Sequence, residues 1–492
     1  MDTIIKSILL FILICGYNIV YTQEVTFIAR DGDYAEAIEI NRKANGFRGI
    51  WYMNQPSNDE YVYKYSGGLA TYTAKHRPFA IYSEEADKTF FCFGGTDDKN
   101  STLFHNISYY DHKKGKVANP TIILDKNTTD AHDNPVLSLD DKGHIWIFST
   151  SHGTTRPSYI YKSTKPYDIS RFERVHATEL VQDLEKPFDN FSYFQVYYVK
   201  GKGFFGFFTR YQAEFAKRVI GFNTSKDGYT WNEWKQIAYI EEGHYGISAE
   251  HDGRISIAFN YHPEGKGLNY RTNLYYMETT DFGISWHSAE NLNIELPVTQ
   301  VRNEALVKDF RLEELNCYLK DLNYDENGNP LILVVTSKGY QSGPANNPRT
   351  WEVFSFNSSW NNCIITTSDN NYDMGSLYVE PNGLWRLIAP TKTGPQAFNP
   401  GGEVEMWISL DMGKYWKKSA SLTINSPRNH TYIRRPINAQ PDFYAFWADG
   451  HGRKPSKSNL YFSDQEGIAY MLPERMVSKF KKPGMLKIID SE

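Results

Sequence analysis

The stretches T-T-D-F-G-I-S-W at 279–286 and S-L-D-M-G-K-Y-W at 409–416 share one spacing, S/T-x-D-x-G-x-x-W. S-K-D-G-Y-T-W at 225–231 repeats it one residue shorter. The pattern describes a tight turn between two strands. The Asp accepts amide hydrogens of the turn, the Gly takes a backbone conformation closed to most residues, and the Trp packs beneath the neighbouring strand. Asp227 and Asp281 stand 54 residues apart, and Asp281 and Asp411 stand 130 apart, which is close to one and two repeats of a single unit. Around these turns, from about residue 45 to 465, runs such as HIWIFST, GFFGFFTRY, RISIAFNYH and PLILVVTS alternate with Gly, Asn, Asp and Pro. Helical periodicity is missing except for a helical turn or insertion expected within 302–315. Short strands with regular turn signals predict an all-β protein. The repeat pitch makes it a β-propeller with seven blades, six or eight also fitting the spacing.

Composition narrows the class. Aromatic residues supply 15% of the 492, with 35 Tyr and 11 Trp, which suits many short strands and a sugar-binding surface. A net charge of −5 argues against a nucleic-acid partner, and an acidic polymer would need a local basic pocket. Residues 1–22 read as a secretion signal, with Lys6 before the apolar SILLFILICGYNIV and cleavage near Thr22–Gln23; the run is too short and too weakly flanked for a membrane span. Cys15 within it is a less favoured lipoprotein anchor. Residues 23–492 are then one secreted, monomeric propeller domain. Its cysteines, Cys92, Cys317 and Cys363, are odd in number and widely spaced, so no disulfide framework is expected. Cys92 reads as a buried strand residue, and neither CxxC nor HExxH calls for a metal.

Two histidines, His132 in TDAHDNP (129–135) and His152 in FSTSHG (148–153), flank a strand–turn–strand unit. Tyr193 in NFSYFQVYY and Arg210 in FGFFTRY follow at later strand ends. Strand ends and the loops beyond them carry function on a rigid scaffold. His76, in AKHRP, reads first as a surface histidine and second as a residue lining the same funnel as the other two. No carboxylate pair of the glycosidase kind stands out, although Asp130 and Asp133 flank His132.

GFRGIWY (46–52), YSGGLATYTAKHRPFAIYS (65–83), the two histidine motifs, NYDMGSLYVE (371–380) and FWADGHG (446–452) together resemble the BNR-4 propellers. Within that group the chain is most similar to the secreted ulvan lyases of polysaccharide lyase family 25, with family 24 more distant. The resemblance implies a seven-bladed propeller that cleaves a sulfated rhamnose–uronate polysaccharide by endo-type β-elimination. It implies His132 and Tyr193 as catalytic residues, and His152, Arg210 and Tyr245 as substrate-binding ones, with Tyr197 or Tyr198 as other choices for the second tyrosine. Phe194 stands where the family often has proline. The resemblance also implies a structural zinc, with His251, His262, Cys317 and Cys363 as candidates, and no cofactor for catalysis.

The chemistry is consistent with those residue types. Abstracting the C5 proton of a uronate requires stabilisation of charge on its carboxylate, for which a guanidinium provides two parallel hydrogen bonds. A histidine serves as base near neutral pH, and a tyrosine can protonate the departing O4. Other readings are a sialidase- or rhamnosidase-like hydrolase on the same scaffold and a non-catalytic glycan-binding propeller. The sialidase reading expects an N-terminal arginine motif, whereas the nearest string, IRRPI, lies at 433–437.

Overall fold

In a computed structural model of the chain, residues 36–211 and 218–486 are described. The proposed signal at 1–22, with Cys15, lies outside them. The protein is all-β, and among the described residues the helical segments are three short 3-10 turns: Ala131–Asp133, Phe310–Glu313 and Pro344–Asn346. The second of these falls within the expected insertion at 302–315. Among the described residues no helix is long and apolar enough to cross a membrane.

The strands follow one another as antiparallel meanders. Pro135–Leu139, Ile145–Ser149, Tyr159–Ser163 and Phe172–Val175 pair in chain order. So do Ser192–Val199, Gly203–Tyr211, Arg218–Ser225 and Lys235–Ala238, and then His244–His251, Arg254–Tyr261, Thr272–Thr279 and Leu306–Lys308. The pattern continues through Asn316–Ser368 and on to Met471, where two meanders are linked by a pairing of Gly402 with His430. Before all of these, Ala80–Ser83, Lys88–Gly95, Phe104–Asp111 and Thr121–Asp125 form a meander whose outer edge is covered by Ile38–Lys43.

Both faces of the inner strands are buried, so these strands read as nearly unbroken apolar runs, whereas outer strands such as Trp360–Ser368 are partly exposed. In GFFGFFTRY, Phe204 and Phe208 pack with Trp146 and Phe148 of the preceding meander, whereas Phe205 and Phe207 pack with Ile257 and Phe259 of the following one. This is the two-residue alternation of a pleated strand, and each phenylalanine buried this way contributes about 2 kcal/mol.

The Asp turns have the geometry their spacing implies. The Asp227 carboxylate accepts from the amides of Tyr229 and Thr230, Asp281 from those of Ile284 and Ser285, and Asp411 from that of Tyr415. Gly228, Gly283 and Gly413 sit at φ of +81°, +89° and +84°, and Trp231, Trp286 and Trp416 are buried.

Between the first edge strand and the first meander a hairpin, Trp51–Pro56 with Tyr63–Gly68, projects over one end of the assembly. Just before it, Gly49 bridges to both Gly95 of the first meander and Ser458 of the last. Where the hairpin meets the last meander, Gly68 and Gly450 lie so close that a β-carbon on Gly68 would fall 1.7 Å from the carbonyl oxygen of Asp449. This hairpin forms one wall of the site described next.

Candidate active site

The turn Ala131–Asp133 sets the geometry of both histidines. Asp130 caps it, accepting the His132 amide at 3.0 Å, and the same oxygen lies 2.5 Å from His132 Nδ1. The other Asp130 oxygen accepts from His152 Nδ1 and from Arg156, each at 3.3 Å. Asp133, fully buried, accepts the His152 amide at 2.7 Å and Arg156 Nε at 2.7 Å, so the second histidine loop is tied to the first. Asn134 completes the anchor by donating to the carbonyls of Leu69 and Tyr72, both at 2.7 Å.

The two imidazoles stack, with centroids 4.0 Å apart and planes 9° from parallel. Burial, then the neighbouring His132 charge, pushes the His152 pKa down to about 4, so His152 is neutral at neutral pH. Burial alone would raise the Asp130 pKa, but the charges and hydrogen bonds of the two histidines outweigh it and hold the carboxyl well below its usual range. His132 is only 4% exposed, and its Nε2 lies 2.7 Å from both the Tyr65 and the Tyr72 hydroxyls.

Tyr193 reaches this pair by way of a backbone irregularity. It sits at φ +52° where the pairing of Ser192–Val199 with Gly203–Tyr211 shifts register between Ser192 and Gln195. Such a bulge re-aims a side chain that regular alternation would send elsewhere. The Tyr193 ring lies edge-on to both histidines, 6.2 Å from His132 and 6.1 Å from His152. Its hydroxyl accepts from Arg218 Nη1 at 3.1 Å, and the same nitrogen donates to the Tyr245 hydroxyl. Burial raises the Tyr193 pKa well above the usual value although Arg218 pulls it down, so the phenol keeps its proton at neutral pH. For Arg218 burial opposes the charge, and the surrounding tyrosine oxygens more than offset it.

Arg210, the residue expected to clamp the carboxylate, is elsewhere. Its Nη2 donates to both oxygens of Glu179, at 2.8 and 2.6 Å, and its guanidinium lies over the rings of Phe208 and Trp234. Successive strand residues point to opposite faces. Tyr211 therefore takes the cavity side, 5.8 Å from the His152 ring, and Arg210 the other. The cation that enters the cavity is Arg218, paired directly across from Tyr211 at the start of the next strand. Of the candidate second tyrosines, Tyr245 lines the cavity, whereas Tyr197 bonds Ser248 and Tyr198 packs on Phe204. His76 is not on the surface: it is fully buried, 5.8 Å from the Tyr193 ring.

The four zinc candidates do not gather. His251 stacks on Tyr324 at the rim of its meander, while His262 is buried beside Tyr245 with Nδ1 on the Tyr270 carbonyl. Cys317 lies inside Asn316–Tyr324, and Cys363 approaches the Lys414 carbonyl. Among the described residues, one set of metal-ligating types comes together, Asp130, His132 and His152, and its atoms are already engaged with one another. The residues named for a structural zinc therefore do not fit one.

The site opens into a cavity of about 250 Å³ whose lining includes the cations Lys64, Lys75, Arg218 and Arg271 and no Asp or Glu. None of the four makes an ion pair with a carboxylate among the described residues, and Lys75 Nζ donates to the Leu319 carbonyl at 2.9 Å. Arg271 is held between the rings of Tyr245 and Tyr318, its guanidinium carbon 4.2 and 4.4 Å from their centroids. Burial, together with the charges of Arg271 and Arg218, lowers the Lys64 pKa to about 8. Such a cavity is built for an anion. Sequence reasoning missed Lys64, Arg218 and Arg271, each an unremarkable basic residue at a strand end.

The family model for a BNR repeat-containing family member matches residues 71–368. The chain belongs to this BNR repeat family. It is 24% identical over 336 residues to an ulvan lyase of Nonlabens ulvanivorans, an alignment covering 60% of this chain and 65% of that relative. A polysaccharide lyase family 25 ulvan lyase has a similar fold, with a TM-score of 0.66 at 17% identity over 86% of this chain and 96% of that one. The structure of such an ulvan lyase bound to -[GlcA(1-4)Rha3S]- gives 0.65 at the same identity and coverage. This BNR-family chain therefore shares its fold with those lyases.

Proposed function

We propose that the protein is a secreted ulvan lyase of polysaccharide lyase family 25, cleaving within the polymer by β-elimination at a uronate 4-linked beside sulfated rhamnose. The observation that carries this reading is the meeting of Tyr193, the histidine pair and Arg218 around one cationic cavity free of lining carboxylates. The ulvan lyase relatives agree with it. Arg218 takes the role first expected of Arg210, pairing with the uronate carboxylate as charge develops after loss of the C5 proton. One such donor is worth roughly 3 kcal/mol in the transition state. Tyr193, protonated and bonded to Arg218, donates to O4 as the C4–O4 bond breaks. His132 is the proton acceptor on the opposite side, and His152, neutral and less buried, holds the sugar. Lys64 and Arg271 suit a polymer that carries sulfate as well as carboxylate.

A hydrolase on this scaffold needs two carboxyl groups flanking the bond, and no Asp or Glu lines the cavity. The meanders are read as seven blades closed in a ring, a reading supported by the bridges of Gly49 to both the first and the last of them. Residues 1–22 are read as the secretion signal and 23–492 as one catalytic domain.

Incubation of the purified protein with ulvan tests the activity. Elimination gives a C4=C5 unsaturated uronate that absorbs in the ultraviolet, whereas hydrolysis yields reducing ends without that absorbance, and a binding propeller yields neither. Reducing ends without absorbance would replace the lyase reading.

A further inference from the structure

His132 is placed to receive a proton, yet neither of its ring nitrogens is open to a sugar. Nδ1 is 2.5 Å from an oxygen of Asp130, a carboxylate that only accepts, so Nδ1 carries a hydrogen and Nε2 has the lone pair. That lone pair meets two hydroxyls, Tyr65 and Tyr72, each at 2.7 Å, with ring centroids 5.5 Å apart. One lone pair accepts one hydrogen. The two hydroxyls and Nε2 thus share a spare proton position, and both tyrosines line the cavity.

We infer that Asp130, His132 and the Tyr65–Tyr72 hydroxyl pair form a buried proton relay, in which a tyrosine oxygen meets the substrate and His132 stores the proton behind it. The inference rests on the elimination reading above. The C5–H bond breaks and its proton joins the tyrosine oxygen facing the sugar. That hydroxyl's own proton passes, directly or through its neighbour, to His132 Nε2. The C5 electron pair becomes the C4=C5 double bond, the C4–O4 bond breaks, and O4 takes the proton of Tyr193. His132 ends as imidazolium against Asp130, and Tyr193 as phenolate against Arg218. Proton exchange after product release restores both.

The groups facing His132 fit this division. Tyr52 and Tyr65 reach it from the hairpin, Tyr72 from the segment held by Asn134, Tyr193 from its bulge, and His152 and Asp130 from the loops, with Arg156 behind Asp130. Burial keeps Tyr65 and Tyr72 protonated, as neutral conduits. Asp130 accepts the Nδ1 hydrogen of both imidazoles but has one negative charge, so it supports only one of them as imidazolium at a time. His152, whose pKa is lowered, stays neutral. In this scheme Asp130 and His132 are positioning residues that act through the tyrosines.

The test compares Tyr65→Phe, Tyr72→Phe, their double variant, Asp130→Asn and His132→Gln in the full-length protein, with kcat and KM on ulvan across pH. The relay predicts that the double tyrosine variant loses on the order of a hundredfold in kcat, with KM within about threefold of the parent. Asp130→Asn keeps the turn cap but loses the charge that favours imidazolium. The acid limb of its kcat profile should therefore move about one unit to lower pH. A merely structural role would lower kcat without moving that limb. Histidine nitrogen NMR, without substrate, supplies a second readout: His132 should carry its hydrogen on Nδ1 and accept on Nε2, and Asp130→Asn should weaken that preference for one tautomer. The relay is overturned if the double variant keeps kcat within about twofold while His132→Gln abolishes elimination. A His132 that carries its hydrogen on Nε2 in the parent overturns it too. If the parent makes no unsaturated product, the elimination reading fails, and the NMR arm still decides whether the relay exists.

Discussion

At the scale of single residues, the two arginines of the Arg210 region differ in what surrounds them. Arg218 donates to the Tyr193 and Tyr245 hydroxyls, lies over tyrosine rings and faces the cavity, whereas Arg210 is locked to Glu179 on the far face of its strand. Arg218→Ala should lower kcat/KM by on the order of a hundredfold, and Arg218→Lys should recover little of it because an ammonium lacks the planar fork. Arg210→Ala should instead leave Glu179 buried and unpaired, at a cost of about 3–5 kcal/mol in stability. Its kcat at a temperature where it stays folded should match the parent. Steady-state kinetics beside urea unfolding separates the two, and a catalytic collapse in folded Arg210→Ala would reverse the assignment. Lys64 gives a pH signature. Its pKa of about 8 means the ammonium is present below that value and lost above it. KM for the polyanion should therefore rise between about pH 7 and about pH 9, and Lys64→Arg should flatten the rise because a guanidinium stays charged. A parent KM that does not change over that range would remove Lys64 from substrate binding.

At the scale of the element, turns and bulges divide stability from function. The Asp281 turn lies far along its meander from the cavity and spends its carboxylate on its own amides, Ser285 Oγ and Thr279 Oγ1. Asp281→Ala should cost roughly 1–2 kcal/mol, since water replaces part of what the exposed turn loses. The urea midpoint should fall while kcat on ulvan stays unchanged; a changed kcat would mean that the turn communicates with the site. The bulge at Tyr193 is the opposite kind of element. Its positive φ and broken register add nothing evident to packing, yet they turn a strand tyrosine towards the histidines. The three Asp turns were legible in the sequence because their chemistry is local, fixed by spacing within eight residues. The bulge was not, because S-Y-F-Q reads as ordinary strand and the irregularity appears only against the partner strand.

At the scale of the whole molecule, the site is assembled from segments hundreds of residues apart. The hairpin at 51–68 supplies Lys64 and Tyr65, the second and third meanders supply His132, His152, Tyr193 and Arg218, and later ones supply Arg271 and Tyr372. The hairpin can lie against the last meander only because Gly68 and Gly450 have no side chains. By itself the sequence determined the all-β class, the Asp turns, and the strand-end placing of His132, His152 and Tyr193, because strand periodicity, turn chemistry and strand-end position are properties of short stretches; the choice of Tyr245 over Tyr197 and Tyr198 stayed open. Tertiary structure alone decided that Arg218 rather than Arg210 enters the cavity, since a one-residue step along a strand reverses its face. It also decided that Lys64 and Arg271 have no carboxylate partner among the described residues, that His132 is shielded by two tyrosines, and that His251, His262, Cys317 and Cys363 stay apart. Each of these depends on which distant segments meet, and no short stretch of sequence records that.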